Sequence, residues 1–510
     1  MPGARSLPAS VLANWTGYAV GLIVNFFLSP LVVGHLGPAA YGVWILLVTL
    51  TAYLGFLDLG IRSSVTRYVA RAESRGDRAT SIQVASTALA VFTAMAGVAV
   101  AAAAALGLIA PSVFHIPAEY RATTAIVATL AGASTGLALV NGALGGVLVG
   151  RERFDVVGAI EVVTTLVRAG LVLGVLTTGG GLVELAVAQL LASLTGTVLT
   201  AWWGRRILPG LRLRPTWSRP HLRLLVSYGG VAFVAQLGAG VVERAAVVVI
   251  GAFMPMAAVT VFAIASGLID YARALVAGIR TTLAPRASAL EGRGQGEALR
   301  DLVLDGARYC TLLVLPIAVT FALRGSSFIG LWMGPAYGGP SGAVLAILAG
   351  RLVVLGATGA AGNVMLGASR ERAVAVLYVA EAAVNVTAML LLVRSAGLVG
   401  VAWATTVPTV VAALLVWPWL LRRSFGVSVR GYLSSAWGRP VVAMLPFAGA
   451  TGLVERLWPA TSLAVFFGQV AVLMPLALLG CWYVGLLDQE RRRCRDAARA
   501  LPSLLTATGR

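Results

Sequence analysis

The 510-residue chain contains no lysine, and all 39 of its basic residues are arginine. It is poor in charge as a whole: Asp and Glu total 20, and charged residues make up 12%, against about a quarter in a soluble domain. So few ionised groups cannot cover a water-exposed surface of this size. With 58% hydrophobic residues and a mean hydropathy of +0.88, most of the chain belongs in a bilayer. Of three cysteines, Cys310 and Cys481 fall in apolar runs and Cys494 in a terminal tail, which excludes an external disulfide framework. The three histidines, His35, His115 and His221, lie in separate loops and form no metal-ligand cluster. Neither a metal nor any other cofactor is called for.

What the chain does have is long apolar runs. A membrane helix needs about 20 such residues, and fourteen runs are predicted to span: 11–33, 40–59, 81–110, 123–149, 156–177, 185–203, 224–252, 258–283, 302–323, 342–366, 373–393, 399–420, 441–454 and 463–486. The expected fold class is an all-α polytopic membrane protein. The first run is too long for the apolar segment of a secretory signal, so it reads as a retained span. Laid alternately across a membrane, the runs put 29 arginines in loops on one side and 4 on the other: Arg121, Arg324, Arg394 and Arg456. Positively charged loops stay cytoplasmic, so both termini are expected there, and Trp202, Trp203, Trp417, Trp419 and Trp482 fall at the same interface. A net charge of +19 held in short loops suits anionic lipid headgroups rather than nucleic acid. The external loops leave no room for a catalytic domain and carry no paired-carboxylate motif. Both points argue against a polysaccharide polymerase or glycosyltransferase.

The chain also repeats. Gly34 and Pro38 recur as Gly251 and Pro255, each 217 residues on; Arg151-Glu152-Arg153 recurs as Arg370-Glu371-Arg372, and Gly181-Leu182-Val183 as Gly397-Leu398-Val399. The unit is six spans. The domains read as a six-helix bundle over 1–210, a cytoplasmic linker over 211–223, a second bundle over 224–422, two additional helices over 423–487 and a basic tail over 488–510. Because six is even, the halves share one orientation, as in secondary transporters with a site between repeats.

Six arginines, Arg168, Arg244, Arg273, Arg280, Arg308 and Arg351, fall inside apolar runs, where an ionised group costs about 2.5–3.5 kcal/mol on insertion scales. Arg308 is three residues after Asp305, the spacing of a helical ion pair, and Arg280 is near enough to the interface to snorkel. Arg168 shares a helical face with Glu161, and Asp270 pairs with Arg273; both sets read equally as packing or function. Glu243 and Arg244 point about 100° apart, so at least one seeks a partner elsewhere. Arg351, roughly 15 Å from the outer surface, and Glu381 have no opposite charge on their own helices, which leaves a cross-helix pair or a polar cavity. Asn25, Asn141, Gln236, Asn363 and Asn385 are amides within spans, suited to interhelical bonds or to a cavity wall.

The chain resembles the bacterial O-antigen and exopolysaccharide flippases of the multidrug/oligosaccharidyl-lipid/polysaccharide exporter superfamily. The likeness rests on Asn25 followed by residues 28–37, on Tyr41-Gly42-Val43-Trp44, on Leu57-Asp58-Leu59-Gly60-Ile61 with Arg67-Tyr68-Val69-Ala70, and on Asn363, Gly367-Ala368-Ser369-Arg370, Asn385 and residues 397–402. It implies two six-helix bundles in a V around a central cavity, two extra C-terminal helices, and alternating access in the bacterial cytoplasmic membrane. The implied cargo is a polyprenyl-pyrophosphate-linked oligosaccharide, with polysaccharide polymerase and glycosyltransferases as partners. Under it, Arg351, Arg168, Arg273 and Arg244 would hold the pyrophosphate; Glu381, Asp270, Glu243 and Glu161 would couple an ion or proton; and Asn25, Asn363 and Asn385 would line the cavity. The alternative from the same acids is a cation-coupled exporter of multidrug or amphiphile type. The first span lacks the arginine usual in peptidoglycan-precursor relatives and the acid common in multidrug members.

Overall fold

The structure, a computed structural model, describes residues 7–210, 218, 220–222, 230–492 and 495–496. Most of the expected linker and tail, together with Cys494, lie outside these. The described residues form helices and turns with no strand. Among the described residues, eleven helices are long and apolar enough to cross a membrane, and large apolar side chains such as Leu108, Val376, Leu391 and Val472 face outward, as on a lipid-contacting surface. This is a multi-pass membrane protein.

Two of the eleven are broken at a glycine. Leu7–Tyr53 bends at Gly37 (φ 78°, ψ 165°) and Glu371–Val411 at Gly397 (φ 56°, ψ −139°). Only glycine adopts the first pair of angles freely, so the chain turns there without leaving its hydrogen-bonded run for long. These breaks fall between predicted spans one and two and between eleven and twelve. Predicted span thirteen is a 19-residue helix, Arg439–Leu457, which is not among the eleven.

The chain divides into two compact units, Met1–Ile264 with Glu371–Thr405, and Ala265–Arg370 with Thr406–Arg510. In the first, the segment between predicted spans two and three is largely a helix, Ile61–Ser74. Its apolar residues Ile61, Val65 and Val69 recur every fourth position and pack on Val84, Ala88, Phe92, Ala143 and Val147. Its arginines, Arg62, Arg67 and Arg71, are exposed, so the helix is amphipathic rather than membrane-spanning. Entry is set by two consecutive left-handed residues, Leu59 (φ 49°) and Gly60 (φ 77°), and by the Asp58 carboxylate, which accepts the Arg62 N–H at 2.9 Å.

In the second unit, Gly296–Met333 and Pro335–Gly367 pack along one another, and Arg439–Leu457 and Leu463–Gly480 pack on the first of them. Leu312, Leu315, Met444, Phe447 and Ala477 form their shared core. Gly480 allows the closest approach, since a Cβ there would lie 1.9 Å from the Ala443 carbonyl oxygen. Trp417, expected at the interface, is buried within this unit, whereas Trp202 and Trp419 are exposed.

The repeat extends to the backbone. Gly76 (φ 69°) donates to the Glu73 carbonyl, and Gly294 (φ 67°), 218 residues on, donates to the carbonyl of Glu291. Glu152 (φ 57°) and Ser369 (φ 56°), 217 apart, are left-handed non-glycine residues in matching turns. The glycines that precede these turns, Gly150 and Gly367, each face a backbone oxygen, of Thr66 and Ala284 respectively, where a Cβ would stand 3.0 and 2.2 Å away.

Candidate functional site

The first unit forms a cavity of about 670 Å³ at the end that carries its arginine-rich turns. Four helices wall it. Ile61–Ser74 contributes Arg62, Ser63, Thr66 and Arg67; Ala118–Gly150 contributes Asn141 and Gly145; Phe154–Thr177 contributes Glu161 and Thr164; Leu182–Ile207 contributes Ser193 and Thr200.

The arginines reach it because the neighbouring helix is thin. Gly142 and Gly146 lie one turn apart, where added Cβ atoms would stand 3.3 Å from Arg62 Nε and 2.9 Å from Val65 Cγ1. Such small residues let two helices approach closely. Arg62 donates through Nη2 to the Ala138 carbonyl at 3.4 Å, a weak bond that leaves most of its fork uncommitted. Asn141 Oδ1 and Thr164 Oγ1 are buried with no hydrogen-bond partner among the described residues. Glu161 forms no ion pair among them either. The cavity therefore presents cationic donors, hydroxyls, an unsatisfied acceptor and one carboxylate, a set that suits a ligand bearing both anionic oxygens and hydroxyls.

Outside the spans, charges tie the turns down. Arg153 grips Asp155 through two bonds of 2.9 and 3.1 Å, which raise its already high pKa further, and its guanidinium lies 5.9 Å from the Trp203 ring. Asp77, at the start of Arg78–Val113, accepts from the Thr80 hydroxyl at 2.6 Å and from its N–H at 3.0 Å. These bonds hold its carboxyl below the ordinary carboxylate range.

Of the site residues expected from sequence, the cavity includes Glu161. Arg168 donates to Asn25 Oδ1 at 3.0 Å, so two of them are brought together across 143 residues. Arg244 is half-buried within electrostatic range of Tyr53, and Glu243 beside it is exposed. Also in the first unit, Glu381 is buried, and its carbonyl accepts from the buried Asn385 at 2.9 Å. In the second unit Asp270 and Arg273 form the expected ion pair at 3.2 Å; Arg351 is 6% exposed; and Asn363 bonds the Gly359 carbonyl at 2.8 Å. Sequence reasoning missed Arg62 and Arg67 as site residues. The Ile61, Val65, Val69 stripe, which marks an amphipathic helix bearing them, was the available signal.

Two further arginines are structural. Arg308, 2% exposed, pairs with Asp305 at 2.6 Å as its spacing suggested, and adds Glu490 and Ser435. Arg324, assigned from sequence to an external loop, is instead inside Gly296–Met333 and 1% exposed. Its Nε donates to Glu455 at 2.7 Å, its Nη2 to Gln469, and its guanidinium lies 4.6 Å from the Phe466 ring.

Among solved structures, an inward-facing multidrug resistance MATE family transporter of the MOP superfamily matches with a TM-score of 0.68 and 17% identity, over 83% of this chain and 96% of that one. The lipid II flippase MurJ, in an inward closed conformation, matches with a TM-score of 0.68 and 10% identity, over 93% of this chain and 98% of its own. A MOP superfamily transporter from Pyrococcus furiosus gives 0.60 and 18% identity, over 81% and 95%. At these identities the likeness is one of fold. No curated protein sequence matches. The family described as "Polysaccharide biosynthesis protein" matches residues 35–339, more than half of the chain. With that match and a fold shared with the MOP transporters, the chain belongs to the polysaccharide biosynthesis protein family.

Proposed function

We propose that the protein is a flippase that moves a polyprenyl-pyrophosphate-linked oligosaccharide from the cytoplasmic to the periplasmic leaflet by alternating access. Its place is then the bacterial cytoplasmic membrane, with both termini inside and the cavity open to the cytoplasmic side. The observation that carries this reading is the set of groups converging in the first unit. Arg62 and Arg67 offer planar forks to phosphate oxygens, while Asn141, Thr164 and Ser193 meet sugar hydroxyls. Arg168, Arg244, Arg273 and Arg351 are proposed to carry the charge further along the path, and Glu161, Glu243, Asp270 and Glu381 to couple an ion.

The test is complementation of a strain lacking its own flippase. A charge-assisted hydrogen bond contributes about 1.5–3 kcal/mol, so Arg62→Ala with Arg67→Ala is expected to lower surface polysaccharide by well over tenfold at normal membrane abundance. Normal polymer output from the double variant would sink the cargo assignment. Drug resistance conferred on expression, without any effect on polysaccharide, would favour the cation-coupled exporter.

A further inference from the structure

One guanidinium joins all four walls of the cavity. Arg151 stands in the turn between Ala118–Gly150 and Phe154–Thr177. Its Nη2 donates to Glu73 Oε2 at 2.6 Å, on the last turn of Ile61–Ser74, and its Nη1 donates to the carbonyl of Ile207, which ends Leu182–Ile207. Arg151 itself does not line the cavity.

We propose that Arg151 is a positioning residue: through Glu73 it fixes where the helix bearing Arg62 and Arg67 sits against the other three walls. This rests on the reading of the cavity as the head-group site. The contact of Ile61–Ser74 with its neighbour runs over Gly142, Gly146 and Gly150, a smooth face that permits close approach but gives little resistance to sliding. A charge-assisted bond of fixed geometry supplies the missing register. Glu73 lies six residues beyond Arg67 on the same helix, about 9 Å along its axis, so a shift at one end is carried rigidly to the other. The corresponding corner of the second unit is closed differently, by the Ser288 hydroxyl, which donates to the Gly367 carbonyl at 2.6 Å. There Arg370 stands 3.7 Å from Glu291, with its guanidinium over the Phe425 ring. The close arginine–glutamate clamp belongs to the unit that holds the cavity.

The test uses the full-length protein in lipid nanodiscs, with undecaprenyl pyrophosphate as the probe, and reads both Kd and melting temperature. Arg151→Gln and Glu73→Gln are each expected to weaken binding about tenfold, the scale seen when a group that orients a ligating residue is lost. The double variant is expected to bind no more weakly than either single one, because both act through one contact. Two near-isosteric variants on opposite partners keep the test open should one fail to fold. A lower melting temperature with unchanged Kd in these variants overturns the positioning role. If Arg62→Ala and Arg67→Ala weaken binding while the Arg151 and Glu73 variants do not, only that role fails. If all four leave Kd unchanged, the head-group reading of the cavity fails.

Discussion

Replacing Arg324 by alanine is expected to destabilise the protein by about 3–5 kcal/mol, the cost of removing one partner from a buried ion pair. The side chain is inaccessible to water and serves three helices: its own, Arg439–Leu457 through Glu455, and Leu463–Gly480 through Gln469 and Phe466. Its loss leaves the Glu455 carboxylate without its cation, retaining the Ser327 hydroxyl, and strips the donor from the side-chain carbonyl of Gln469, whose amide N–H is already committed to the Trp458 carbonyl at 2.9 Å. Replacing Arg324 by Met together with Glu455→Gln removes both charges and is expected to recover much of the loss, since apolar groups of similar volume often replace such pairs at little cost. Thermal unfolding of the purified variants checks both. An Arg324→Ala protein that melts with the wild type would show that the pair contributes nothing.

The second large effect is expected at Gly42. A Cβ on this residue would lie 2.0 Å from the Met256 carbonyl oxygen and 3.2 Å from Thr260 Oγ1, which donates to the Pro38 carbonyl at 2.6 Å. The nearest atoms are backbone, so no rotamer change makes room, and Gly42→Ala must force the two helices apart. Overpacking of this kind costs about 1–3 kcal/mol, and a leucine more. Gly34, on the same helix with open space around it, is the control: Gly34→Ala is expected to be neutral or to gain a few tenths of a kcal/mol. The comparison is made on melting temperature and on the yield of monodisperse protein. Equal behaviour of the Gly42 and Gly34 variants would remove the packing explanation for Tyr41-Gly42-Val43-Trp44.

The features legible in the sequence were those that local physics controls. Apolar runs gave the all-helical membrane class, and i, i+3 spacing gave Arg308 with Asp305 and Arg273 with Asp270. Ile61–Ser74 was lost because hydropathy averaged over a window treats an arginine-rich amphipathic helix as a polar loop. Arg324 was misplaced for a non-local reason. Gly296–Met333 continues past it because Glu455, 131 residues away, neutralises its charge, and no local pattern announces such a partner. The same holds for Arg168 and Asn25. The cavity itself is a product of four helices separated widely in sequence, and only Glu161 among its residues carried a charge inside an apolar run.

The Arg151 and Ser288 corners also bear on how the chain is assembled. Arg151 closes on Glu73 across 78 residues, and Ser288 closes on the Gly367 carbonyl across 79, so each corner depends on a short stretch of nascent chain. The first needs nothing synthesised after Ile207. It can therefore lock while the second half is still entering the membrane, in line with the general order in which N-terminal units fold during synthesis.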